Sequence, residues 1–177
     1  MKLTRVPQLT QRPAYHVNTD LWYLPGTIER YQEEYKLDID PDFQRAHVWG
    51  EDKQIAFMEY LFKGGAMSNR LLFNYPNWMG SFESFKETMV LVDGKQRLEA
   101  MMKFKSNDLP VFGHTMDEWE DGKTACRRVS LEIYINDLKT RKEVLQWYID
   151  LNSGGVVHTD EEIEKVKKML KDEKNKS

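Results

Sequence analysis

The sequence predicts a mixed α/β (α+β) fold, a small mixed sheet flanked by helices, on three observations. Thr88-Met-Val-Leu-Val92 is a continuous apolar run of the kind found in a buried strand. It breaks at Asp93-Gly94, and the apolar period then turns helical, with Leu98, Met101 and Met102 following. Val129, Leu131, Ile133 and Ile135 alternate as a further strand, and two Thr-x-x-Glu capping boxes, Thr140–Glu143 and Thr159–Glu162, each open a helix.

The other elements follow along the chain. Residues 1–19 are polar with two prolines and read as an N-terminal arm. Asp20–Leu24 reads as a short strand, and Pro25-Gly26-Thr27 as a turn into a helix from about Ile28 to Lys36, with Thr27 as its N-cap. Leu37–Ile39 is expected to be extended, because Asp40 precedes Pro41. Glu51–Lys63 is an amphipathic helix with Ile55, Met58, Leu61 and Phe62 on one face, ended by Gly64-Gly65. Arg70–Tyr75 is a strand closed by Pro76, and residues 77–87 an irregular connection. The helix that starts at Lys95 runs to about Ser106, where Asn107, Asp108 and Pro110 stop it. Residues 110–126 read as an inserted hairpin or loop. Lys171–Ser177 is a charged tail that frays. No repeat or flexible linker divides residues 20–170, so they read as one domain.

Composition narrows the function. The chain has 177 residues, 40% hydrophobic and 12% aromatic, enough for a folded core. A net charge of -3 excludes a uniformly basic nucleic-acid coat but leaves room for a local basic patch. One cysteine, Cys126, rules out an internal disulfide and fits a reducing compartment, so a cytoplasmic location is expected. No apolar run is long enough for a signal peptide or a membrane span, and no membrane partner is expected.

Three segments carry candidate chemistry. In Val90–Met101 a buried strand meets a glycine and then a helix, whose free N–H groups and positive dipole end attract anions. Gly94 permits a tight turn, Lys95 and Arg97 add positive charge, and Gln96 has a donor for a phosphate oxygen or a sugar. Asp93 suits a helix cap, a metal ligand or a group that orients water. An ordinary helix start with two solvated basic residues explains the same pattern. In Asp42–Trp49, Gln44, Arg45 and His47 lie between aromatics. That loop is either buried, with Phe43 and Trp49 as anchors and Arg45 in an ion pair, or part of an active site in which Gln44 and Arg45 meet a polar ligand. In Asn152–Thr159 a glycine pair between two helices explains itself, yet Asn152 and His158 would line a cleft if the loop folds toward the strand ends.

Other signals fail. Gly122-Lys123-Thr124 looks like the end of a P-loop, but the earlier glycine would fall at Asp117 and no strand precedes it. The four histidines are scattered, with no His-x-x-x-His and no Cys-x-x-Cys, so a structural zinc site is not expected. Arg127 and Arg128 would lower the pKa of Cys126 if they faced it, although a lone cysteine near a strand start is usually structural.

Phe43-Gln44-Arg45 with Trp49, Asp93-Gly94-Lys95-Gln96-Arg97-Leu98, Ile149-x-Leu151-Asn152-x-Gly154-Gly155 and Thr159-x-x-Glu162, in that order, resemble the family called domain of unknown function 262. That family belongs to the ParB/sulfiredoxin-like group and supplies the N-terminal half of modification-dependent restriction enzymes of the GmrSD type. The resemblance covers roughly residues 20–170; the family's usual Asp-Gly-Gln-Gln-Arg has Lys95 at its third position here. It implies a compact ParB/sulfiredoxin-like domain that binds, and hydrolyses, a nucleoside triphosphate (ATP, GTP or CTP) at the Asp93–Arg97 turn, with Mg2+ or Mn2+ at Asp93. Asp93, Gln96, Arg97 and Arg45 would be its catalytic residues, and Gly94, Lys95, Gln44, Asn152 and His158 its ligand-binding ones. DNA is the expected partner. Because no His-Asn-His pattern occurs, the resemblance implies a stand-alone version acting with a partner nuclease chain. Two alternatives are a non-catalytic nucleotide- or DNA-responsive regulatory module and a ParB-like nickase using a patch of Arg45, Lys95, Arg97, Arg127 and Arg128.

Overall fold

The structure is a computed structural model that describes residues 15–44, 48–65, 69–76, 78, 87–152 and 160–175. It is a mixed α/β fold whose described residues form four strands and six α-helices. The order is β1 (Tyr15–Asp20), α1 (Leu24–Tyr35), α2 (Glu51–Phe62), β2 (Arg70–Asn74), β3 (Val90–Asp93), α3 (Lys95–Lys105), α4 (Gly122–Arg128), β4 (Ser130–Asn136), α5 (Arg141–Asn152) and α6 (Asp160–Asn175). The sheet order is β1-β4-β2-β3. β4 pairs antiparallel with β1 and parallel with β2, and β2 pairs antiparallel with β3, so the sheet is mixed as expected.

The pleat explains the hydrophobic patterns. Leu71, Phe73, Leu91, Leu131, Ile133 and Ile135 lie in a large core with residues of α1, α2, α3 and α4. Val92, from the opposite side of the pleat, joins Phe43 and residues of α5 and α6 in a second core, against which Leu72 and Val90 also pack. β3 is apolar without alternation because both of its faces are covered.

β3 is the last strand of the sheet, and its outer edge is not left open. The Asp38 amide donates to Met89 O (2.8 Å), the Leu91 amide donates to Asp38 O (3.0 Å), and the Met89 amide donates to Tyr35 O (2.9 Å). The segment after α1 therefore serves as a partial fifth strand and protects an otherwise exposed edge.

Several elements differ from the sequence expectation. The first strand is Tyr15–Asp20, within the segment read as a polar arm, and not Asp20–Leu24. It is a half-exposed edge strand, so it carries little hydrophobic signal. α1 starts at Leu24, with Pro25 in its first turn, where a missing N–H costs nothing. Thr27 is thus inside the helix and is not its N-cap; its hydroxyl donates to Tyr23 O (3.1 Å). The supposed insertion at 110–126 contains a Val111–His114 bridge, a single 3-10 turn at Met116–Glu118 and most of α4. α4 has seven residues, too few to display a helical period. The capping box at Thr140–Glu143 is present: Glu143 Oε2 accepts from the Thr140 amide (2.9 Å), and the Glu143 amide donates to Thr140 Oγ1 (3.3 Å). Thr159 and most of the 77–87 connection lie outside the described residues.

Cys126 is fully buried, its Sγ 3.7 Å from Met116 Sδ. Burial pushes its thiol up to about 11, against the pull of nearby Lys105. This reverses the reactive-thiolate possibility, because Arg127 and Arg128 are exposed and do not stabilise the thiolate.

Candidate functional site

β3 ends at Asp93, and the chain turns into α3 through Gly94, which is the helix N-cap with φ 104°. A Cβ there would lie 2.6 Å from Leu71 Cδ2 and 3.2 Å from Arg70 O. Only glycine meets both the backbone sign and the space. Gly94 O accepts from the Leu98 amide (2.8 Å), which closes the first helical turn. The amides of Lys95, Gln96 and Arg97 precede that bond, so they have no partner within the helix and mark its positive end.

The side chains of this turn have separate tasks. Arg97 Nη2 donates to Asp93 Oδ2 (2.7 Å) and to Arg70 O (3.1 Å), bracing the end of β3 against β2. Asp93 is therefore ion-paired and does not cap the helix. Lys95 Nζ pairs with Asp40 Oδ1. Gln96 is buried, and its Oε1 accepts from the amides of Val48 and Trp49 (3.0 Å each). Gln96 Nε2 and Arg97 Nε are buried without a hydrogen-bond partner among the described residues. Two orphaned donors beside a helix N-terminus leave unmet capacity for an acceptor.

The Phe43-Gln44 segment is tied to the same strand. Gln44 Nε2 donates to Leu91 O and Val92 O (2.9 Å each) on the outer edge of β3. Phe43 is buried against Tyr148, with ring centroids 5.2 Å apart. Asp42 receives two bonds from Arg141 Nη2 (2.8 Å each) and, through its carbonyl, one from Lys165 Nζ (3.1 Å). Gln44 and Gln96 thus grip this loop from opposite ends, one toward β3 and one from α3. The structure brings Gln44, Asp93, Gly94, Lys95, Gln96 and Arg97 together. Asn152 sits at the end of α5, where its Nδ2 donates to Tyr148 O (2.7 Å). Arg45 and His158 lie outside the described residues.

A cleft of about 740 Å3 opens beside Lys95. Ile28, Leu91, Leu98 and Met102 give it an apolar floor, while Glu29, Asp40 and Glu99 place carboxylates around it. Sequence reasoning missed Asp40 and Glu29. Asp40 before Pro41 pointed only to an extended segment at Leu37–Ile39, and nothing in the sequence signals that Asp40 meets Lys95. No group of three or more His, Cys, Asp or Glu side chains that could hold a metal ion occurs among the described residues. No described helix is long and apolar enough to cross a membrane.

These features define a class: a mixed α/β domain with a strand-glycine-helix turn, braced by an arginine and flanked by a cleft. Residues 28–129, which run from α1 to the start of β4 and contain both the Phe43-Gln44 loop and the Asp93–Arg97 turn, match the family described as GmrSD restriction endonuclease, N-terminal domain. The chain belongs to that family. No curated protein and no solved structure matches it.

Proposed function

We propose that this chain is a nucleoside-triphosphate-binding domain of the ParB/sulfiredoxin-like kind, serving a DNA-directed restriction function. The observation that carries this is the meeting of the cleft and the α3 N-terminus at Lys95. Phosphates fit the first-turn amides with Lys95, which lines the cleft, as a further donor. The apolar floor suits a base, and Glu29 and Glu99 suit hydroxyl or amino donors of the nucleoside. A cleft of about 740 Å3 is in the range that small-molecule ligands occupy. The family supports the link to DNA restriction.

Three carboxylates near one lysine are a poor setting for a bare triphosphate. A divalent cation, Mg2+ or Mn2+, resolves this, and the donor set fits it: one protein carboxylate plus phosphate oxygens is an ordinary Mg2+ environment. Asp93, half exposed and bonded to Arg97 through one oxygen, is the residue to hold it. When bound, the cation neutralises charge on the phosphates.

Hydrolysis is the second reading, favoured by the Asp93–Arg97 pair at the phosphate end. Asp93 would orient a water for attack on the γ-phosphorus as the bond to the bridging oxygen breaks, and Arg97 would stabilise the charge that develops. A partner nuclease chain would then receive the signal.

Calorimetry with ATP, GTP and CTP, with and without Mg2+, tests binding. One nucleotide should bind, and Lys95→Ala should weaken it by at least tenfold. Equal affinity in wild type and Lys95→Ala would falsify the site. Phosphate release, measured with and without DNA, then decides the second reading; binding without turnover leaves a regulatory module.

A further inference from the structure

We infer that the surface formed by Trp22, Tyr23, Lys105, Lys123 and Arg127, at the C-terminal end of α3, is a nucleic-acid-binding face. Lys105 Nζ lies 3.7 Å and Lys123 Nζ 5.1 Å from the Trp22 ring centroid, and Arg127 Cζ lies 5.8 Å from that of Tyr23. Three cations from two helices therefore gather over two adjacent rings of the β1–α1 turn. None of the three forms an ion pair among the described residues, although the chain carries a net charge of -3. The basic residues of the Asp93–Arg97 turn differ: Lys95 and Arg97 each hold a carboxylate.

The nearby carboxylates of Asp117 and Asp20 act on Lys105 rather than on Lys123 or Arg127. Asp20 Oδ1 accepts from the Tyr23 amide (3.1 Å), and Asp117 Oδ2 accepts from Asn107 Nδ2 (2.8 Å). Asp121 lines a separate aromatic cavity with Phe112 and Trp119. Lys123 and Arg127, both exposed, set positive charge beside the rings, of which Tyr23 is 54% exposed. Phosphates satisfy the cations, and an unpaired base stacks on an exposed ring, so the complementary partner is a nucleic acid strand. A lipid surface fits less well, because none of the large exposed aliphatic side chains belongs to this patch. α3 joins this face to the nucleotide turn, since its eleven residues, Lys95–Lys105, span about 15 Å. The DNA-directed part of the function proposed above underlies this face; nucleotide binding does not.

Fluorescence anisotropy with a labelled single-stranded 20-mer and its duplex tests the face. The expected result is that Lys123→Glu/Arg127→Glu weakens DNA binding at least tenfold and that Tyr23→Ala weakens single-strand binding about fivefold or more, in line with a stacked base. Lys167→Glu, on α6, should bind as wild type. If the double variant does not fold, Arg127→Gln carries the test with a smaller loss. DNA binding unchanged by these substitutions overturns the inference, as does wild-type protein that binds anionic phosphatidylserine vesicles but no DNA. Nucleotide calorimetry on the same variants should match wild type, which separates failure of this face from failure of the Gly94 site.

Discussion

Gln44 and Gln96 show how a polar side chain can serve backbone. Each supplies two hydrogen bonds to main-chain groups, Gln44 as donor to β3 carbonyls and Gln96 as acceptor from the Val48 and Trp49 amides. A Gln44→Ala change leaves two carbonyls at the edge of β3 without their donor. At about 1 kcal/mol per bond, it should cost about 2 kcal/mol, read as a lower melting temperature. Gln146→Ala, which removes an exposed amide bonded to Asp150 four residues on, should change little by comparison. Gly94→Ala adds both a steric and a backbone cost and should destabilise by about 2 kcal/mol in denaturant titration. Cys126, fully buried and with its thiol near 11, should react with iodoacetamide at pH 8 only as fast as the protein opens. Rapid alkylation of the folded protein would contradict the buried placement.

At the scale of elements, α5 owes its start to one interaction. Burial raises the Glu143 carboxyl, but hydrogen bonds from Thr140 and Lys139 outweigh it and hold the group below the ordinary carboxylate value. A pKa lowered by folding gives stability that is present above the unfolded value. That stability is lost as pH falls through the folded one. Thr140→Ala should cost about 1 kcal/mol at neutral pH, and Glu143→Gln should flatten part of the acid limb of a stability curve measured between about pH 7 and pH 3. An acid limb identical to wild type would show that the box is not formed in solution. α2, α3, β2, β4 and α5 were legible because their lengths or capping residues carry clear periods. β1 and α4 were not: one is an edge strand with little burial, the other a helix of two turns. β3 was legible as buried, but its outer-edge pairing with the segment after α1 was not, because backbone pairing between residues as far apart as Asp38 and Val90 leaves no local pattern.

At the scale of the molecule, the sheet separates two cores, and the candidate site lies where the ends of β3, the Phe43-Gln44 loop and the α3 N-terminus converge. Phe43 anchors the loop in the α5–α6 core, so Phe43→Ala should destabilise the protein by about 3 kcal/mol. Because ligand binding stabilises only the folded state, a nucleotide at a hundred times its dissociation constant should add about 2.7 kcal/mol and raise the melting temperature with concentration. A nucleotide that binds by calorimetry without moving the melting curve would have to bind the unfolded chain as tightly as the folded one, which a built site excludes. By itself, the sequence determined the fold class, most element types, the strand-glycine-helix turn and the order of motifs that led to the family. These rest on local periodicity, capping chemistry and the backbone freedom of glycine, all carried by neighbouring residues. The tertiary structure alone decided that Lys95 and Arg97 are paired with acids, that Gln44 and Gln96 bind backbone, and that Lys105, Lys123 and Arg127 meet over Trp22 and Tyr23. Apart from the Asp93–Arg97 pair, which lies four residues apart across the β3–α3 turn, those pairings join residues distant in sequence, and which of them come together is set by packing of the sheet and helices, not by spacing along the chain.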